Sequence, residues 1–344
     1  MNIQIINPAQ CPGWNNLLRT HSQTTFFHTA NWAAVLNESY QYSPRYFAVI
    51  ENNKIKTLLS LMEVNSFLTG RRGVSLPFTD QVPLISENSD QFEALLNEIA
   101  TYGKKTGWKY FELRGEHPSL TQRPSSASFI VHTLDLNKNK SKIFTSFRSS
   151  TQRNIKKANR LGTIVKKETS LTAVKEFYRL NCMTRRDHGL PPQPRQFFKK
   201  LHEHVFDKNK GFVILSYHQN TPIAGAIYFH FKNHAIYKYG ASDKTYQHLR
   251  PNNLVMWEAI KWFAENGFKT LNLGRTELTH HGLRQFKRGW GTTEETLTYH
   301  KYNLSKDCFV AETPKIKSTY PLFNPYSGKY FCNYLNLKEM IELH

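Results

Sequence analysis

No stretch of this chain approaches the ~18 consecutive apolar residues that carry a helix across a bilayer. The opening residues MNIQIINPAQ lack the basic patch and apolar run of a secretory signal. Cysteine is scarce. Cys11, Cys182, Cys308 and Cys332 share no CxxC spacing and have no nearby His in sequence, which argues against a zinc ribbon or a disulfide scaffold and for free thiols in a reducing compartment. There is no GxxxxGK[ST] loop and no GxSxG elbow, so neither P-loop nucleotide chemistry nor an α/β-hydrolase serine is expected. His202-Glu203-His204 and His280-His281 match neither HExxH nor a Cys/His zinc pattern; they read as surface histidines, and no metal is expected. The expected location is cytoplasmic, with peripheral contact with an anionic membrane still allowed.

Acidic residues are the other shortage. Lys and Arg total 46 against 26 Asp and Glu, a formal charge of +20. That excess suits polyanions such as RNA, nucleotide-linked substrates, phosphates or an anionic membrane face, and equally a generically basic protein. It concentrates between Lys138 and Lys167, where ten Lys or Arg meet no carboxylate. Ser149 and Gln152 stand at capping-box spacing before a helix that should end at Gly162. With Ile155 and Ala158 inside, Arg153, Lys156, Lys157 and Arg160 face outward. Unbalanced like charges repel, so Arg153, Lys156 and Lys157 are candidates for binding a phosphate-bearing donor.

What the chain does have is material for two cores: 344 residues, 39% hydrophobic and 13% aromatic. The most legible stretch runs from Ile236 to Gly291. A strand ends at Gly240; Pro251-Asn252-Asn253 starts a helix that an Asn side chain should cap. Met256, Ala259, Ile260, Phe263 and Ala264 form one buried stripe, and Asn266-Gly267 closes the helix. A strand through Leu271 and Leu273 follows, then polar Gly274, Arg275, Thr276 and Glu277, where α/β folds place ligands. Arg250, Asn252 and Asn253 at the helix start and Arg275 past the strand are anion-binding candidates, and Tyr239, ending the earlier strand, joins them at the donor site. Leu283 to Gly291 reads as a short cationic and aromatic segment, either a ligand site or a basic turn with an aromatic anchor in the core. Phe286 and Trp290 flank Lys287 and Arg288, setting stacking surface beside positive charge, which suits a phosphate next to a base or sugar.

Elsewhere the pattern predicts strands over 46–50 and 55–64, a helix over 91–105, a Pro-bent helical region over 171–206 and an antiparallel meander over 211–240. Residues 1–25 read as irregular. GWKYFEL (107–113) echoes GFKTLNL (267–273), which suggests a duplicated α/β unit.

The runs YKYGAS, LRPNNL, LNLGRTE and GLRQFKRGWG resemble the Fem family of peptidoglycan bridge-forming aminoacyltransferases, and still more their BioF2-like acetyltransferase relatives from envelope polysaccharide clusters. RSSTQRNIKKANRLG and RRDHGLPPQP extend the resemblance, and FFHTANW and SLPFTD carry it more faintly. It implies an α/β (α+β) fold of two tandem GNAT-like domains, mixed sheets flanked by helices, without a long coiled-coil arm: 1–137, 138–300 and a tail over 301–344 packing across them. It implies a transferase acting by direct attack on an amine of a peptidoglycan or polysaccharide precursor, in a cleft between the domains, with no bound cofactor. Aminoacyl-tRNA or acyl-CoA would be the donor. The Phe-Lys pair resembles the motif whose lysine stabilises charge on the acyl carbonyl, so Lys287 is the catalytic candidate. Asp80 in SLPFTD resembles an acidic residue near the attacking amine.

There are two departures from the family. The loop Gln247 to Asn253 has no glycine where acyl-CoA enzymes hold a pyrophosphate, and Trp32 is followed by Ala33, Ala34, Val35 and Leu36 with no lysine. The first weighs against CoA and the second against a nucleotide-sugar acceptor. An acyl-CoA-dependent N-acetyltransferase for exopolysaccharide or glycolipid synthesis, and a non-catalytic polyanion-binding protein on the same fold, stay open.

Overall fold

The computed structural model describes residues 1–67 and 69–311. These form two compact units, Met1–Phe129 with 296–311, and Ile130–Glu295.

In the first unit, β1 (Ile3–Ile6), α1 (Trp14–Arg19) and α2 (Ala30–Tyr40) precede β2 (Ser43–Glu51), β3 (Lys54–Ser66), β4 (Gly70–Val74) and β5 (Ile85–Ser86); α3 (Ser89–Thr106) and β6 (Tyr110–Leu113) follow. The first 25 residues are therefore not irregular. Ile3 pairs opposite Val49, and Trp14 is buried with its indole N–H donating to the His28 carbonyl at 2.9 Å. One strand of four residues and one anchoring tryptophan are too little periodic signal to read in sequence. The β2–β3 hairpin turns on Asn52 and Asn53, both left-handed at φ 50° and 56°, the geometry that matches strand twist.

β7 (Ala127–Asp135) leads into the second unit. There α4 (Lys140–Ser146), α5 (Ser149–Arg160), β8 (Ile164–Glu168), α6 (Leu171–Asp187) and α7 (Arg195–Leu201) precede the antiparallel meander β9 (Gly211–His218), β10 (Thr221–Phe231) and β11 (His234–Ser242). α8 (Pro251–Glu265), β12 (Thr270–Glu277) and α9 (His281–Arg288) complete it. β13 (Thr293–Asn303) then returns the chain to the first unit, where it pairs with β6 and with β14 (Cys308–Val310). Residues 301–311, expected in a tail, thus build sheet; the rest of that expected tail lies outside the described residues.

The sequence echo has a structural counterpart. α3 and α8 each end on a left-handed glycine, Gly107 at φ 76° and Gly267 at φ 77°. After each, an aromatic N–H reaches back to a carbonyl five residues earlier, Trp108 to Gly103 at 2.8 Å and Phe268 to Phe263 at 3.0 Å. The next lysine N–H then enters the sheet, Lys109 to the Arg71 carbonyl and Lys269 to the Asn233 carbonyl. The strands so placed run parallel to a strand earlier in the same unit, β6 to β4 and β12 to β11. Each unit keeps its own core, one around Phe92, Leu96, Trp108 and Phe111, the other around Ile155, Tyr228, Ile260 and Trp290. Cys11 and Cys308 are free thiols. Among the described residues no helix is long and apolar enough to cross a membrane.

Candidate active site in the second unit

Two helices begin at one pocket. Upstream of α8 the chain makes a tight helical turn, Lys244–Leu249, and Arg250 then adopts the left-handed conformation at φ 59°. Pro251 occupies the first helical position, where its missing N–H costs nothing. The expected Asn cap does not form. Asn252 turns its amide to the Ser242 hydroxyl at 3.0 Å, and no side chain caps the helix. α5 lacks its expected capping box for a related reason. Arg148, not Ser149, is the N-cap residue, and Gln152 donates to the Phe147 carbonyl at 2.8 Å. Arg148 is fixed instead by its own N–H, which donates to the Gly289 carbonyl at 3.0 Å.

The pocket between these starts holds about 420 Å³ and is lined by Arg148 and Asn154 of α5, Arg250 and Asn253 at α8, and Gln285 and Phe286 of α9, among others. Two guanidinium groups and two helix N-termini with no side-chain cap give it a positive character, since N–H groups and the helix dipole both favour negative charge there. Phe286 adds an exposed aromatic face, 39% accessible. Of the candidates named from sequence, Arg250, Asn252, Asn253 and Phe286 meet here. Arg148, Gln247 and Gln285 also line it and were not singled out; only Arg148's place just before a helix start could have marked it.

The cationic and aromatic segment forms a helix, α9 (His281–Arg288), and this geometry distributes its residues. Trp290 is fully buried in the core, edge-on to Phe147 at 5.1 Å, so it has no face to stack on a ligand. Lys287 is also buried, 5% exposed, with Nζ donating to the carbonyls of Gly274 at 3.0 Å and Arg275 at 2.7 Å. The polar residues after Leu273 are not a loop: β12 runs on to Glu277, so Arg275 is a half-buried strand residue offering its carbonyl to Lys287. Near Lys287 lies a half-buried ion pair beside a buried histidine. Arg284 grips Glu294 with two nitrogens, at 3.0 and 2.7 Å, and this pair holds the Glu294 carboxyl below its usual range. His132 of β7 stands 3.7 Å from Glu294, fully buried, and neither ring nitrogen has a hydrogen-bond partner. Burial first, then the Lys287 charge, pushes its pKa down to about 4.

The remaining candidates lie elsewhere. Arg153 and Lys156 are exposed and Lys157 half-buried, and none of the three lines the pocket. Tyr239 packs against Phe197 and Phe198 of α7. Asp80 belongs to the first unit. It follows a segment in which Leu76 and Phe78 take left-handed φ of 52° and 60°, conformations that cost a bulky residue about 1–2 kcal/mol each. Its backbone carbonyl accepts from the Tyr299 hydroxyl. Arg114, which donates to the Thr79 carbonyl at 3.1 Å, is stabilised as a cation chiefly by Glu112 and also by Tyr299 and Asp80.

A family profile described as an acetyltransferase (GNAT) domain matches residues 145–288, the stretch holding the pocket and Lys287. A lipid II:glycine glycyltransferase from Staphylococcus haemolyticus is 32% identical over 100 residues, covering 27% of this chain and 24% of that protein. The chain thus matches only about a quarter of that relative's length. Among solved structures, FemX aligns over 87% of this chain and 97% of its own, with TM-score 0.67 at 14% identity. A tandem GNAT protein from the clavulanic acid biosynthesis pathway aligns over 88% and 98%, with TM-score 0.57 at 8% identity. Residues 145–288 are thus similar to an acetyltransferase (GNAT) domain, and the fold is similar to that of FemX.

Proposed function

We propose that this protein transfers an activated acyl or aminoacyl group to an amine of a cell-envelope precursor, working at the cytoplasmic side of the membrane. The observation that carries the reading is the anion pocket of Arg148, Arg250 and two helix N-termini, inside the GNAT-matched stretch and next in sequence to Lys287. The amine attacks the acyl carbonyl, the new C–N bond forms, and the bond to the leaving atom breaks, oxygen for an aminoacyl ester or sulfur for a CoA thioester. The nitrogen gives up one proton and the leaving atom gains one. Lys287 would stabilise the oxyanion through its charge, which acts strongly where water is excluded. Assigning Asp80 to the amine is a separate proposal about the first unit, resting on its carboxylate in a strained segment beside a guanidinium.

For the donor we favour the aminoacyl end of a tRNA. Phe286 provides a stacking face, and the pocket's cations suit a phosphodiester chain. A second reading, acyl-CoA, has one observation of its own: the α8 N-terminus has no side-chain cap, and Arg250 takes the left-handed conformation at the helix start that glycine would otherwise supply. Calorimetric titration with an aminoacyl-tRNA end analogue and, separately, with acetyl-CoA at moderate salt decides between them. Micromolar acetyl-CoA binding that depends on Arg250, with none for the analogue, would reverse the preference. Binding of polyanions with no turnover of any donor would leave only a binding protein on a transferase fold.

A further inference from the structure

The reading above leaves unused the turn between α5 and β8. α5 ends at Arg160, the chain reverses through Gly162 at φ 74°, and β8 begins at Ile164. Leu161 is 37% exposed and Ile164 60%, two of the few large apolar side chains on the described surface. Arg160 and Lys166 beside them are exposed. In this carboxylate-poor segment the nearest ion pairs, Lys138 with Asp135 and Lys140 with Glu265, lie at its far end. Ile164 and Lys166 share one face of β8, with Lys166 resting 5.3 Å from the Tyr217 ring centre.

β8 pairs with β9 and ends the strand order. Lysines on such an edge are commonly guards against unwanted pairing. An exposed isoleucine works against that purpose, because it makes the edge stickier. A nucleic-acid backbone needs the cations alone. A surface that uses both is an anionic bilayer, where Lys and Arg meet headgroup phosphates and short aliphatic side chains enter the interface. We propose that the α5–β8 turn docks on an anionic phospholipid surface through Leu161 and Ile164, with Arg160 and Lys166 on the headgroups. This is independent of the transfer reaction, and a protein without activity could still dock.

The test is co-sedimentation of the full chain with vesicles of phosphatidylcholine alone and of phosphatidylcholine mixed with phosphatidylglycerol. Binding is expected only to the mixed vesicles. Removing a cation should weaken it about fivefold, so R160E/K166E, which reverses two, should reduce it well over ~20-fold. L161S/I164S should weaken it about tenfold or more without changing affinity for bulk tRNA. Near-UV circular dichroism checks the fold of each variant, and I164N alone replaces the serine pair if that variant is disturbed. Absence of sedimentation with the mixed vesicles overturns the proposal. So does full vesicle binding by the serine variant, since the surface would then be a polyanion site only.

Discussion

A buried lysine that spends its protons on two backbone carbonyls holds a strand end in place as well as a charge. For Lys287 the two roles separate in kinetics. If its charge stabilises the oxyanion, Lys287→Ala lowers kcat by about 10²- to 10³-fold while the KM for the amine acceptor barely moves; unchanged turnover in a folded variant removes the role. His132 and His230 give a second handle. Burial is the first cause for each, and both are pushed down to about 4. A histidine depressed in the folded state is neutral there while the unfolded chain, near 6.5, takes up protons. Stability is therefore full above about pH 6.5 and falls as the pH drops towards 4. Urea midpoints measured from pH 7 to pH 5 should show the loss, and His132→Leu should flatten the slope by about 1–2 kcal/mol across that range. Arg250→Gly dissects the pocket differently: it removes a guanidinium but suits the left-handed φ, so anion affinity should drop with thermal stability kept or raised by up to ~1 kcal/mol. Lys287 could be singled out because it stands in a run that resembles a family motif. His132 was not, because a histidine in IVHTLDL looks like any residue of a strand until the fold sets it beside Glu294.

Helices and strands with a full period were read correctly from sequence, as the stripes of α3 and α8 and the meander β9 to β11 show. The misreadings fall where spacing gives no unique answer. LRQFKRGW carries too many cations to look like a packed helix, yet burying Lys287 on carbonyls lets α9 turn an amphipathic face inward. GRTE after Leu273 has loop composition, and strand pairing overrides composition. Neither expected cap survived, because Gln152 and Asn252 found other partners, and a spacing rule cannot see competing acceptors. Gly73 in β4 supplies an element-level test. A Cβ there would meet the Trp108 ring at 2.2 Å. Gly73→Ala should therefore cost about 1–3 kcal/mol by overpacking, read as a lower denaturant midpoint; an unchanged midpoint would mean that the indole moves aside freely.

At the scale of the whole chain, the first unit is discontinuous. Its core takes Leu304 and Phe309, and β6 pairs with β13, Leu113 opposite His300. The fragment 130–295 should unfold cooperatively by itself, whereas 1–129 alone should show no cooperative transition and bind hydrophobic dye. A cooperative transition in 1–129 would show that the returning segment adds little. The same discontinuity sets an order of events on the ribosome. The amino-terminal segments leave the exit tunnel first, but the core they belong to cannot close until residues near 309 have emerged. The second unit, contiguous among the described residues, can finish earlier. For this protein the half made first is the half completed last, and through that interval its waiting strands are the ones a chaperone would meet.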